Sequence, residues 1–261
     1  MQAVAVSERR EKEVKRAGGT GRRSDYIGAP GVIDAGPQAF LVERPYPEAR
    51  IDPHFHDIDQ FQIVVGGFCR MGKKDARPVT YQYADAYTPY GPIVGEQRGF
   101  SFFTLRPIAS GGFFAMPGNR HNMPCRAGRN LAGQFDLGKD RPAAGKVVRE
   151  HLMLPQDDGV NAVGLRLGPS ARASGLTSDA GGQYYLVCDG EVIHENKAMP
   201  RHSLIHVDPG ESPPNFTASG AGANVLALQF ARPTTRPGSD PSALAERNPD
   251  AYMQRPDGSG R

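Results

Sequence analysis

The stretch PHFHDIDQFQIVVGG, residues 53–67, places two histidines one residue apart, then a glutamine, then an apolar run that two glycines close. Successive side chains on a strand point to opposite faces, so His54 and His56 project to one side while Phe55 points away. Two imidazoles on one face supply about half of the ligands of a transition-metal ion, and a polar group such as that of Gln60 would bring this to three quarters. The spacing leaves a second interpretation open, a pair of surface histidines beside a hairpin.

Short strand-type runs dominate the rest of the chain. They are rich in β-branched and aromatic residues, and Gly or Pro separates them, which is the pattern of an all-β protein. The 32 glycines and 23 prolines among 261 residues predict many turns and few long helices. The predicted strands are residues 38–43, 61–65, 79–83, 101–106, 162–167, 183–188, 191–193, 203–207 and 224–230.

These runs fall into two similar sets. A shift of 123 residues aligns Gln60 with Gln183 and Gly67 with Gly190. The segment FSFFTLRP, which ends at Pro107, then corresponds to VLALQFARP, which ends at Pro233, with a few residues inserted. Two matches in the same order predict duplicated β units.

The opening stretch resembles the first conserved motif of the cupin superfamily: two histidines one residue apart, three or four residues, normally Glu, a six-residue strand and Gly. Here these positions are His54, His56, Gln60 and Gly67. Residues 84–94, ADAYTPYGPIV, resemble the second cupin motif, a turn around Pro and Gly that normally carries a third metal-binding histidine. The resemblance implies jelly-roll β-barrels whose mouth holds a divalent metal. With the duplicated units, it identifies residues 36–234 as a bicupin.

The chain is therefore predicted to contain tandem cupin barrels with an irregular linker and flexible tails. The first segment carries seven Lys or Arg residues within its first 25 positions, which predicts a solvated tail. The last segment is polar and rich in turn residues. The predicted segments are 1–35 (basic and flexible), 36–112 (first barrel with the candidate metal site), 113–158 (linker), 159–234 (degenerate second barrel) and 235–261 (flexible tail).

The first barrel departs from the family motif at two positions. Gln60 stands where Glu is usual, and a neutral amide oxygen is the weaker ligand. The third histidine is absent, because Val94 or Gly95 falls at about its place. Glu96 is the nearest substitute, with a solvated loop residue as the alternative interpretation. The predicted ligands of a divalent ion, one of Fe, Mn, Ni or Zn, are His54, His56 and Gln60.

The second barrel lacks these ligands. Thr177 and Asp179 occupy the positions of the two histidines, and only Gln183 is retained. His202 and His206, four residues apart on one predicted strand, match no motif position and are interpreted as ordinary strand histidines. We therefore expect at most one metal ion per chain and a structural role for the second barrel.

Two functional classes remain open. One is a metal-dependent enzyme, an oxygenase, isomerase or lyase acting on a small organic molecule, with its general base unidentified. The other is a non-catalytic small-molecule binder or sensor whose metal site has decayed. The intact spacing of the two histidines favours the enzyme, and the missing third histidine favours the binder.

Other partners and compartments are limited by composition. The net charge is only +3, there is no Trp, and no phosphate-binding glycine motif follows a strand, so we expect no nucleic-acid partner. No apolar run approaches the ~20 residues that cross a bilayer. Cys69, Cys125 and Cys188 show no disulfide pattern, which predicts a reducing cytoplasm. The expected partners are a small-molecule ligand and a second copy of the chain in a homodimer.

Overall fold

The computed structural model describes residues 1–16, 18–28 and 36–239. These residues form nineteen strands and two single-turn 3-10 helices, Val6–Glu8 and Arg120–Asn122. The first strands are β1 (Gln2–Val4), β2 (Arg10–Arg16), β3 (Gly19–Ile27), β4 (Gln38–Arg44), β5 (Arg50–Ile51), β6 (His54–Phe55), β7 (Gln60–Met71), β8 (Lys74–Ala76), β9 (Thr80–Ala84) and β10 (Ile93–Arg106). The remaining strands are β11 (Phe114–Ala115), β12 (Asn130–Gln134), β13 (Val147–His151), β14 (Asn161–Leu167), β15 (Arg172–Ser174), β16 (Gln183–His194), β17 (Lys197–Pro200), β18 (Leu204–Val207) and β19 (Asn215–Gln229).

The chain divides into two compact units. Among the described residues, the first unit comprises those between Arg10 and Ala132 and residues 233–239, and the second comprises Met1–Arg9 and Gly133–Arg232. The sheet of the first unit has the order β12-β9-β7-β10-β4-β3-β2, with β5 beside β10 and β8 beside β7. The sheet of the second unit has the order β1-β18-β16-β19-β14-β13, with β15 beside β19 and β17 beside β16. The fold is therefore all-β, as predicted, with antiparallel jelly-roll sheets.

Every predicted strand overlaps an observed strand, although Val79, Ser203 and Phe230 lie just outside, and most of the observed strands are longer than predicted. Residues 183–188 and 191–193 were predicted as two strands but form the single strand β16, which crosses two β-bulges. In the same way β10 begins at Ile93 and passes an irregularity between Gly95 and Phe100. A β-bulge interrupts the alternation of apolar and polar residues, but strand pairing continues on both sides of it. The sequence pattern therefore predicts only part of such a strand.

The two sheets repeat each other at a constant separation of 123 residues. In the first unit Gln62 pairs with Thr104, and in the second Tyr185 pairs with Ala227, so both partners shift by 123 positions. The extra residues predicted between the two matching segments lie after the strand, because β10 and β19 align without an insertion as far as Gln229.

The basic N-terminal segment was predicted to be flexible, but most of its described residues lie in strands. β1 pairs with β18, and β2 forms an antiparallel hairpin with β3, which pairs in turn with β4. Acidic residues alternate with the basic ones in this hairpin, so Arg22 lies 4.0 Å from Glu11 and 3.0 Å from Glu43. Opposite charges on neighbouring strands, together with the burial of Tyr26 and Ile27, explain why this segment forms strands of the sheet. Residues 29–35 lie outside the described residues.

The predicted linker, residues 113–158, also contains three strands, β11, β12 and β13. β13 is a regular strand, since Val147–His151 pairs with β14 over five residues. From the predicted C-terminal tail, Arg236 is in contact with the first unit, where its guanidinium donates to the Ala86 carbonyl at 2.7 Å. Residues 240–261 lie outside the described residues. No helix in the described ranges has the length and apolar character needed to span a membrane.

Candidate binding site in the first unit

The two histidines of the opening motif lie side by side. His54 belongs to β6 and His56 follows it, their ring centroids are 5.1 Å apart, and their planes are nearly perpendicular. Both side chains are buried. Phe55 packs elsewhere, stacked on Phe114 with a centroid distance of 4.9 Å.

Gln60, the first residue of β7, lies in the same cluster and is held by both ends of its amide. Its Nε2 donates to the Tyr90 hydroxyl, and its Oε1 accepts a 3.3 Å hydrogen bond from Nε of Arg106. Arg106 is the last residue of β10 and is 6% exposed, so a full positive charge lies buried inside the cluster. Its Nη1 donates to Gln38 Oε1 at 2.6 Å, and its Nη2 lies 3.2 Å from Nε2 of His56.

Arg106 and Gln38 are therefore site residues that the sequence analysis missed. Tyr90 lies within the second motif region and is buried against the cluster, with its ring centroid 4.6 Å from that of His54. A signal for Arg106 existed in the sequence: in SFFTLR, Thr104 and Arg106 alternate with apolar residues, which places both on one sheet face.

The histidines are neutral. His54 Nδ1 lies 2.8 Å from the carbonyl of Asp52, and His56 Nδ1 contacts the carbonyl of Gly112. A carbonyl only accepts, so we assign the proton to Nδ1 in both rings and the lone pair to Nε2. Burial lowers the pKa of His54 to about 4, and burial together with the charge of Arg106 holds the pKa of His56 well below its usual value.

A short loop covers the cluster. Phe113 stacks on the His54 ring with a centroid distance of 4.1 Å and is itself 37% exposed, so it separates that ring from solvent. Asp57 fixes the loop, because its carboxylate accepts from Ser110 Oγ at 2.8 Å and from the backbone N–H of Gly111 at 3.0 Å. This loop lies at the border of the predicted linker, where loop composition alone gave no sign of a role.

The fold family implies a metal ion at this place, but the residues present do not fit one. A transition metal needs donors at ~2.0–2.2 Å, and here the lone pairs of His56 Nε2 and Gln60 Oε1 already face the Arg106 guanidinium. Glu96 is exposed and follows Gly95, which pairs with Cys69, nine residues along β7 from Gln60. Within the described ranges, no group of three or more His, Cys, Asp or Glu side chains could hold a metal.

The corresponding place in the second unit is occupied differently. Gln183 donates to the Thr177 carbonyl at 2.8 Å and to Gln229 Oε1 at 2.7 Å, while Thr177 and Asp179 are exposed. Gln229 lies 123 positions after Arg106, so a neutral amide replaces the guanidinium. His202 was predicted to share a strand with His206, but it lies in a turn with φ 71° before β18 begins at Leu204.

His206 gives a pH prediction. Its side chain is 4% exposed and packs on Tyr184, and burial lowers its pKa to about 4, against an opposing effect of Asp208. Because the unfolded state binds a proton near pH 6.5 and the folded state only near pH 4, stability is present above pH 6.5 and falls as the pH drops between these values. In His206→Phe protein we expect this loss to shrink by about 2 kcal/mol at pH 4.5.

Urea unfolding of wild type and His206→Phe at pH 7.5 and pH 4.5 measures this difference, with exposed His121→Gln as the control. Equal losses of unfolding free energy in wild type and His206→Phe would contradict the prediction.

No family model matches the chain, and no curated protein matches its sequence. Solved structures match its fold over most of its length. A proposed dioxygenase from Nostoc punctiforme is 12% identical with a TM-score of 0.62, covering 87% of this chain and 81% of that one. Quercetin 2,3-dioxygenase from Acinetobacter baumannii is 12% identical with a TM-score of 0.51, covering 84% and 76%. Oxalate decarboxylase from Bacillus subtilis, a protein with Mn(II) centres, is 10% identical with a TM-score of 0.55, covering 88% and 77%.

These neighbours are cupin-fold proteins, and the chain has the cupin jelly-roll fold. At 10–12% identity the likeness defines the fold, and the reactions named for the neighbours are theirs. One fold hosts many unrelated activities, so the function has to be argued from the cluster around Arg106.

Proposed function

We propose that the first unit binds a small organic anion through Arg106, without a resident metal ion. One observation carries this proposal: the buried guanidinium of Arg106 contacts the side chains of Gln38, Gln60 and His56. Arginine presents coplanar N–H donors that match the two oxygens of a carboxylate. These three partners are neutral side chains, and a low-dielectric site strengthens the attraction between the guanidinium and an anion.

The groups around Arg106 support a small-molecule ligand. Two imidazoles, the Tyr90 hydroxyl and the Phe113 ring combine apolar surface with a few fixed polar atoms, which is the usual lining of a ligand site. Burial raises the pKa of Tyr90, so its hydroxyl keeps its proton and can donate or accept. The bound anion would lie beneath the loop that carries Phe113.

We infer that the two units are the halves of a bicupin and that the second is structural. Constant register at 123 residues supports the duplication. The interior of the second unit is an apolar cluster that includes Tyr185, Val187, Ile205, Val225 and Ala227. Such a core stabilises the fold and leaves the polar site to the first unit.

The metal content of the chain tests this proposal. Protein produced with Fe, Mn, Ni and Zn supplied in turn, and purified without chelator, should carry far less than one ion per chain by elemental analysis, yet bind pentanoate in calorimetry. His54→Ala with His56→Ala should leave the metal content unchanged. One ion per chain in the wild type, lost in the double variant, would contradict a metal-free site.

That contrary outcome would support the second candidate function, a metal-dependent oxygenase, isomerase or lyase. One observation favours it: hydrogen bonds from Nδ1 to carbonyls leave Nε2 of both His54 and His56 as electron-pair donors, the arrangement typical of metal-binding histidines. It requires Arg106 to leave the position it holds beside His56 and Gln60. The predicted metal ligands His54, His56 and Gln60 stay a prediction until this measurement.

The expected partners also stay predictions. A homodimer, the absence of nucleic-acid and membrane partners, and a cytoplasmic location rest on the sequence. The three cysteines are free, and Cys69 and Cys188 are buried, which is compatible with a reducing compartment.

A further inference from the structure

A row of polar side chains crosses the sheet of the first unit next to the Arg106 cluster. The strand register aligns Gln82 of β9 with Gln62 of β7, and Gln62 with Thr104 of β10. Because side chains alternate along a strand, Gln62 shares its face with Gln60, and Thr104 shares its face with Arg106. The two rows lie about 7 Å apart, two residues along each strand.

Two amide atoms in this row lack hydrogen-bond partners. Oε1 of Gln62 and Nε2 of Gln82 are both inaccessible to water, and neither finds a partner among the described residues. The side chains are 3% and 8% exposed. A buried polar atom without a partner costs about 1–3 kcal/mol, so a protein retains such atoms mainly where something else satisfies them.

The second unit shows that the fold itself does not require glutamines here. The positions 123 residues after Gln62, Gln82 and Thr104 are Tyr185, Ile205 and Ala227, which pair in the same register. All three belong to the apolar core of that unit. The same sheet positions thus hold two aliphatic side chains and a tyrosine with a hydrogen-bonded hydroxyl in one unit, and two glutamines and a threonine beside Arg106 in the other.

We propose that Gln62 and Gln82 form a second polar subsite, which selects organic acids that carry a hydroxyl or amide group about 5 Å from the carboxylate. This inference rests on the proposed function, since Arg106 holds the carboxylate. A hydroxyl donates one hydrogen bond and accepts another, so a single group satisfies both Oε1 of Gln62 and Nε2 of Gln82. The subsite sets the specificity of the first unit.

Two probes of equal size test the subsite, 4-hydroxybutanoate and pentanoate, which differ by a hydroxyl in place of a methyl group. Calorimetry on the wild type should show about tenfold or tighter binding of the hydroxy acid, because a site built to bond a hydroxyl rejects its apolar analogue. In Gln62→Leu with Gln82→Leu this preference should disappear, while the affinity for pentanoate stays within about threefold. Equal affinities of the wild type for both acids, unchanged in the variant, overturn the subsite but leave the anion site standing. Binding of neither acid overturns the anion site and the subsite together.

Thermal unfolding of the same variant separates a ligand role from a structural one. Leucine is close to glutamine in size, so removing two unsatisfied amides should raise Tm by about 3–6 °C. Gln183→Leu is the matched control, since Gln183 has hydrogen bonds to Thr177 and Gln229 and its loss should lower Tm. A fall in Tm of the double variant like that of the control would mean that Gln62 and Gln82 support the fold, and would overturn the proposal.

Discussion

Arg106→Gln protein is expected to bind pentanoate about 100-fold more weakly than the wild type, or not at all. Removing one member of a buried, hydrogen-bonded charge pair costs about 2–5 kcal/mol of binding free energy. Glutamine keeps the polarity of the side chain and matches Gln229, the residue at the corresponding position of the second unit. Calorimetric titration of both proteins with pentanoate and with neutral pentan-1-ol measures the effect, and the alcohol should bind weakly to both.

The control for this variant is Arg166→Gln. Arg166 is a buried arginine of the second unit, with its guanidinium 3.0 Å from Glu150 and stacked over Phe135. We expect this control to lose stability but to bind pentanoate as the wild type does, which separates a local loss of charge from general destabilisation. Unchanged pentanoate affinity in Arg106→Gln would remove the basis of the anion site.

Sequence spacing alone accounts for one side of this cluster. His54, His56 and Gln60 lie within seven residues, and strand alternation plus one turn is enough to bring them together. The fold class followed from the β-rich runs and their Gly and Pro boundaries, which local propensity determines. The residues that the sequence missed come from elsewhere in the chain. Arg106 reaches Gln60 across 46 positions, and that contact depends on the register of β7 with β10.

The register of β7 with β10 could not be predicted from the composition of the two segments. Irregularities at Val65 and between Gly95 and Phe100 shift the pairing within the β7–β10 ladder, and a single-residue slip would exchange the two faces of a strand. Phe113 was missed for a different reason, since a loop residue acquires its place only when Asp57 fixes residues 110–112. The missing third histidine was read correctly from the motif, but the guanidinium that faces the remaining donors was not foreseen.

The charged N-terminal segment shows the limit of composition as a guide. Its lysines and arginines suggested a solvated tail, because a run of like charges favours extended, hydrated chain. The interleaved glutamates change the outcome. In the β2–β3 hairpin each glutamate faces a residue of the opposite strand, and β2 forms a charged sheet edge that resists pairing with other chains.

Gly99→Ala is expected to destabilise the first unit by about 3–5 kcal/mol. Gly99 has φ +66°, a conformation that L side chains rarely adopt, and a Cβ added there would lie 1.8 Å from the Arg44 carbonyl oxygen. Both the strain of a positive φ and the displacement of the β4 backbone add to the cost. Gly67, the glycine of the first motif, meets Gly99 across the ladder, since its own added Cβ would lie 2.1 Å from the Gly99 carbonyl. Urea unfolding monitored by fluorescence and circular dichroism measures the loss.

Two further variants test this prediction: Gly118→Ala is a neutral control, and Gly222→Ala changes the corresponding glycine of the second unit. Gly118 is exposed and its added Cβ meets no atom within 4 Å, so that variant should unfold as the wild type does. Gly222, 123 residues after Gly99, has φ +77° and an added Cβ 2.5 Å from the Leu167 carbonyl oxygen, so it should cost nearly as much in the second unit. Because the two units share this close approach of backbones, comparable losses at Gly99 and Gly222 would show that it serves the fold in both units. A Gly99→Ala protein as stable as Gly118→Ala would mean that β4 and β10 can separate at no cost, against the close contact on which the argument rests.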